Sequence, residues 1–102
     1  MFYIYILYSA CADKYDIGHT DDVQRRIIEH NEQKNFGTYL SKFRPWKLAA
    51  YFEYGNDRSA AIKLERFIKR QHSRKLIEQL IDPEFEPAGN LAPWVRVPHV
   101  RD

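Results

Sequence analysis

The sequence predicts a small α+β domain, a three-stranded and mainly antiparallel sheet flanked by helices in the order β-β-α-β-α-α. Two observations near the N-terminus and one beyond it lead there. Residues 2–9 (FYIYILYS) and the short YDIG that begins at Tyr15 alternate with the period of a strand, separated by the polar turn ACADK. Further on, segments with helical periodicity bracket a third alternating run, PWKLAAYFEYG at 45–55. The chain's 102 residues suffice for a single core but not for a catalytic domain plus a separate binding domain.

Taken in order, the first strand sets Tyr3, Tyr5 and Leu7 on one face and Phe2, Ile4, Ile6 and Tyr8 on the other. Both faces are apolar or aromatic, which suits a strand buried on two sides. In the second strand Asp16 points opposite to Tyr15 and Ile17, because successive side chains alternate. After Gly18, Thr20, Asp21 or Asp22 can cap a helix whose buried sector holds Val23, Ile27 and His30, with Arg26 at its border. Arg25 and Glu29 form an outward (i, i+4) pair. NEQKNFGTYLSKFR has no clean period and reads as a loop. The helix NDRSAAIKLERFIKRQ turns Ala60, Ala61, Leu64, Phe67 and Ile68 inward and carries Glu65 at the edge of that face. Ser73 caps a last helix, RKLIEQLI, with Leu76, Ile77, Leu80 and Ile81 inward. A domain at 1–82 is therefore followed by a tail at 83–102, where Pro83, Pro87, Pro93 and Pro98 argue against regular structure while Leu91, Trp94 and Val97 are spaced to dock on the domain.

Composition narrows the classes. Hydrophobic residues make up 44% and aromatics 15%, which fits a folded globule rather than a disordered chain. A lone cysteine, Cys11, excludes an internal disulfide. There is no signal-like leader and no apolar run near the ~20 residues that span a bilayer, so a soluble, cytoplasmic protein is expected. The net charge is only +2, but it is polarised: Arg58 to Lys75 holds seven basic residues against the single acid Glu65, a net of +6, leaving −4 for the rest.

Tyr5, Asp16, Arg26, His30 and Glu65 all fall at borders of apolar faces. Singly, each has a bland explanation: a core tyrosine with its hydroxyl at the rim, a snorkelling arginine, a packed histidine, an ion-paired glutamate. Together they suit phosphodiester chemistry, which needs a divalent metal on a carboxylate, a group that activates water, and a cation for the extra charge on phosphorus. Glu65 supplies the first and Arg26 the last. The basic residues Lys63, Arg66, Lys69, Arg70, Arg74 and Lys75 are candidates to hold a nucleic-acid backbone, although a solvated helix face is the commonest cause of such a run.

YIYIL at 3–7, YDIGHTDDVQRRIIEHN at 15–31, KFRPWKLAAYFE at 42–53 and SAAIKLERFIKRQHSRKLIEQLI at 59–81 closely resemble the small stand-alone members of the GIY-YIG nuclease superfamily, in the same order and spacing. The resemblance covers residues 2 to about 81. It implies that Tyr5 is the first-motif tyrosine, Ile17 and Gly18 complete the second motif, Arg26 is the catalytic arginine, and Glu65 is the metal-binding glutamate for Mg²⁺ or Mn²⁺. His30 and Asn31 match a helix-end pair near the site.

One position departs from the pattern. The second-motif tyrosine, thought in this family to activate the attacking water, should stand where Asp16 stands. Asp16 can be a substitute base or a second metal carboxylate; Tyr15 can replace the tyrosine if the strand slips in register, which would also turn Ile17 over; or the site is impaired. The expectation is thus a metal-dependent DNA endonuclease that reads structure, such as branches or nicks, rather than a long sequence, with a protein partner able to add specificity. The alternatives are a catalytically inactive nucleic-acid-binding module and, further off, a protein-interaction domain.

Overall fold

The computed structural model describes residues 1–32, 42–82 and 84, together with the backbone of 95–96. Its elements are β1 (Phe2–Ser9), β2 (Lys14–Thr20), α1 (Val23–Glu32), β3 (Trp46–Gly55), α2 (Arg58–Arg70), α3 (Arg74–Ile81) and β4 (Val95–Arg96). The expected order and the antiparallel β2-β1-β3 sheet are present, so β1 is an inner strand.

That position explains why β1 is apolar on both faces. Ile4 and Ile6 join Ile17, Ala50 and Phe52 beneath Ala61, Leu64 and Ile68 of α2 and Leu80 of α3. Tyr5 and Leu7 look the other way, packing with Trp46, Phe43 and Ile27 of α1. Each fully buried isoleucine or phenylalanine contributes about 1.5–3 kcal/mol. Helices therefore cover both faces, α1 on one and α2 with α3 on the other.

The ends of the helices are fixed by polar contacts. Asp22 caps α1 by accepting from the Arg25 N–H at 3.1 Å, while Thr20 Oγ1 accepts from the Asp22 N–H at 3.1 Å to shape the preceding turn. Arg44 reaches the other end of α1, its Nε donating to the His30 carbonyl at 2.5 Å. Asp57 caps α2, and Ser73 caps α3 as expected from the sequence. Asn31 joins α1 to β3 by donating to the Trp46 carbonyl at 2.9 Å and accepting from the Trp46 N–H at 2.6 Å.

The tail differs from its reading at one place. Val95 and Arg96 pair antiparallel with Glu53 and Phe52 as a fourth strand at the free edge of β3. Proline is tolerated next to an edge strand, so Pro93 and Pro98 in the sequence are compatible with this pairing. The docking expected of Leu91, Trp94 and Val97 lies outside the described residues. Among the described residues no helix is long and apolar enough to cross a membrane.

Candidate active site

The site is built around the outer edge of β2. Tyr5, on β1, stands opposite Gly18 and is almost fully buried at 2% exposure. Its ring lies across the glycine, where an added Cβ would come within 2.2 Å of the phenol oxygen. Only a residue without a side chain permits this approach. The phenol oxygen then meets Arg26, whose Nε donates to it at 3.1 Å. Arg26 springs from the second turn of α1 and keeps about a third of its side chain exposed, with Glu29 Oε1 3.7 Å from Nη1.

Burial pushes the Tyr5 phenol up to about 12; the Arg26 hydrogen bond opposes this, and the charges of Asp16 and Glu65 add to it. Tyr5 is thus a neutral phenol at physiological pH, able to donate a hydrogen bond. Burial works against the Arg26 charge, but the Tyr5 bond and nearby negative charge hold its value above the ordinary one.

Asp16 stands opposite Leu7 and points to the α1 face, as alternation requires. Its Oδ2 lies 2.7 Å from His30 Nε2. His30 is 1% exposed and its Nδ1 lies 3.0 Å from the Arg26 carbonyl, which can only accept, so Nδ1 donates. The Nε2–Oδ2 contact closes the link from α1 to β2. His30, expected among the catalytic groups, is enclosed and links Asp16 on β2 to the turn of α1 that carries Arg26. Tyr15 remains on the opposite face beneath Arg74 without any slip in register, so it does not replace the tyrosine.

Glu65 belongs to the α2 side. His19, which points to that face along with Ile17, places Nδ1 2.6 Å from Glu65 Oε1, and Lys69 Nζ lies 2.9 Å from Oε2. Burial alone would raise the Glu65 carboxyl, but the hydrogen bonds and charges of His19 and Lys69 hold it below its usual value. It is therefore an ionised, hard oxygen donor. Among the described residues no group of three or more His, Cys, Asp or Glu could hold a metal ion. One such carboxylate fits a hard divalent cation held otherwise by water and substrate phosphate, not a cage made by protein alone.

A cleft of about 360 Å³ opens between β2 and the α2–α3 corner, and both Asp16 and Lys69 line it.

The basic residues divide. Lys69 is committed to Glu65. Arg74 donates to the Asp13 carbonyl at 2.9 Å and its carboxylate at 2.6 Å, and its guanidinium sits 5.0 Å from the Tyr15 ring centre, so it ties α3 to the β1–β2 turn. Lys63 and Arg70 flank a second cleft of about 320 Å³ with Tyr54 and Phe67. Lys63, Arg66 and Arg70 share the outer face of α2, and with Lys75 they form no ion pair among the described residues.

Sequence reading missed His19 and the engagement of Lys69. The signals were there: His19 alternates onto the α2 face with Ile17, and Glu65–Lys69 is an (i, i+4) pair.

The fold is thus a small α+β domain whose edge strand gathers a buried tyrosine, an arginine and, on the other face, a carboxylate held by a histidine and a lysine. The model of the GIY-YIG catalytic domain matches residues 1–78, and the chain belongs to the GIY-YIG family. A search of curated proteins returned no match. Nucleases of this family act on nucleic acids and are generally dependent on a divalent metal.

Proposed function

We propose that this chain is a metal-dependent DNA endonuclease that hydrolyses phosphodiester bonds, acting on branched or nicked duplexes. The observation that carries the reading is the Tyr5–Arg26 pair at 3.1 Å, a buried neutral phenol and a partly exposed guanidinium converging beside Gly18. Arg26 holds the scissile phosphate through its outward nitrogens and offsets charge that develops on phosphorus. Tyr5 donates a hydrogen bond to the same group and holds the guanidinium in place. A Mg²⁺ or Mn²⁺ ion on Glu65 would supply Lewis-acid stabilisation of the leaving oxygen. His19 orients the Glu65 carboxylate by its hydrogen bond to Oε1. Asp16, with Oδ2 engaged by His30, offers Oδ1 to take a proton from the attacking water. Backbone contacts made by Lys63, Arg66, Arg70 and Lys75 carry no base information, so selectivity rests on DNA shape.

A second reading, a catalytically silent nucleic-acid-binding module, is favoured by one observation: Asp16 Oδ2 is already engaged by His30, which leaves a single oxygen to serve as a base. Incubating branched and plain duplex DNA with the protein in Mg²⁺ or Mn²⁺, with and without chelator, separates the two. Cleavage that chelator abolishes and Glu65→Gln loses supports the nuclease; binding without cleavage at every metal concentration establishes the module.

A further inference from the structure

Both oxygens of Glu65 already have partners, and the two partners differ in kind. His19 is a short, strand-borne imidazole that approaches Oε1 at 2.6 Å. Lys69 is a long side chain on the same helix as Glu65, about half exposed, and approaches Oε2 at 2.9 Å. Withdrawing Lys69 costs a change of rotamer and no backbone movement, since the pair is an exposed-side (i, i+4) contact. Withdrawing His19 would disturb β2. Oε2 is therefore the oxygen that exchanges and Oε1 the one that stays held. Lys69 also lines the 360 Å³ cleft between β2 and the α2–α3 corner, so an ammonium leaving Oε2 has open space to move into.

Resting on the metal assignment at Glu65 made above, we propose that Lys69 is an exchangeable counter-ion: it neutralises Glu65 while the carboxylate carries no divalent cation, and it passes to a nucleic-acid phosphate when the cation takes Oε2. Metal and nucleic acid then favour one another's binding through this one side chain, because each is bound more tightly once Lys69 has moved. The basic residues of the α2–α3 segment are accordingly not equivalent. Lys69 contributes to nucleic-acid affinity only when metal is present.

Mn²⁺ binding, followed by the electron paramagnetic resonance of the free ion, tests this in the absence of DNA and of turnover. Lys69→Met should bind Mn²⁺ about two- to fivefold more tightly than the unmodified chain, the size of one lost half-exposed ion-pair competitor. Lys69→Arg should bind it as the unmodified chain does. His19→Ala should bind it more weakly. Duplex affinity measured against salt with Ca²⁺ present should show a slope shallower by about one in Lys69→Met, with no such difference in chelator. Equal or weaker Mn²⁺ affinity in Lys69→Met, with Glu65→Gln still abolishing binding, overturns the exchange and leaves the metal assignment standing. Undiminished Mn²⁺ affinity in Glu65→Gln overturns the metal assignment and the exchange with it. Circular dichroism of each variant confirms that the fold is kept.

Discussion

The Asp16 carboxylate and the His30 imidazole meet at 2.7 Å, and the far side of the same ring donates to the Arg26 carbonyl at 3.0 Å. A residue of β2 thereby fixes the helical turn from which Arg26 reaches Tyr5. Asp16→Asn should lower cleavage by at least about 100-fold, the low end of what a positioned base contributes. It should also cost about 1–3 kcal/mol of stability through the weakened bond to a buried partner. Asp16→Tyr should lower cleavage as well, since a phenol leaves His30 without its carboxylate. Single-turnover rates and thermal melts of both variants check this. A higher rate in Asp16→Tyr would show that Asp16 impairs the site.

Gly18 is expected to be intolerant of even one methyl group. In Gly18→Ala the new Cβ would stand 2.2 Å from the Tyr5 oxygen and 2.5 Å from the ring carbon that bears it. The ring is buried and cannot swing into solvent, so overpacking should cost about 1–3 kcal/mol. Cleavage should fall further than stability explains, because Tyr5 leaves Arg26. Denaturant unfolding and single-turnover cleavage, measured together, test the pairing.

Glu65 gives the fold a pH dependence of known sign. Its folded-state value lies below the ordinary 4.5, so its contribution is complete above that pH and is lost as pH falls through the lowered folded value. The melting temperature of Glu65→Gln should therefore lie below that of the unmodified chain at pH 6 and 7. The two curves should converge as the pH is taken down from about 4.5 toward 3. Curves that stay parallel would mean that His19 and Lys69 do not stabilise the carboxylate.

Nucleic-acid affinity should separate the basic residues. Lys63→Ser with Arg70→Ser should flatten the dependence of log affinity on log salt by about one to two units with little change in melting temperature. Arg74→Met should instead lower the melting temperature and leave the slope nearly unchanged, because Arg74 is spent on Asp13 and Tyr15. Filter-binding titrations at several salt concentrations, alongside thermal melts, decide between them.

Much of this was legible before any coordinates. Apolar residues on both faces of residues 2–9 placed β1 inside the sheet, because only an inner strand with helices on both sides can bury them. Strand alternation put Asp16 on the face of Tyr5 and kept Tyr15 away, and the Ser73 cap was local chemistry. What stayed hidden depended on distance along the chain. Arg74 and Asp13 are 61 residues apart, and a run of positive charge does not reveal which cations are already paired. Glu65 and His19 meet only after α2 has crossed β2, so neither signals the other locally. The two residues of β4 are too few to show a period, and the prolines around them point toward irregular structure.

The most direct measurement is the effect of Arg26→Ala on the cleavage step with DNA affinity followed in parallel. Arg26 touches the buried Tyr5 phenol through Nε and keeps about a third of its side chain exposed, so its loss should fall on the transition state rather than on the bound ground state. Single-turnover cleavage in Mg²⁺ should drop by about 100- to 1,000-fold, the range for losing one group that stabilises developing charge, while duplex affinity changes by less than about threefold. Cleavage at the unmodified rate by Arg26→Ala would contradict the placement of the scissile phosphate at the Tyr5–Arg26 pair.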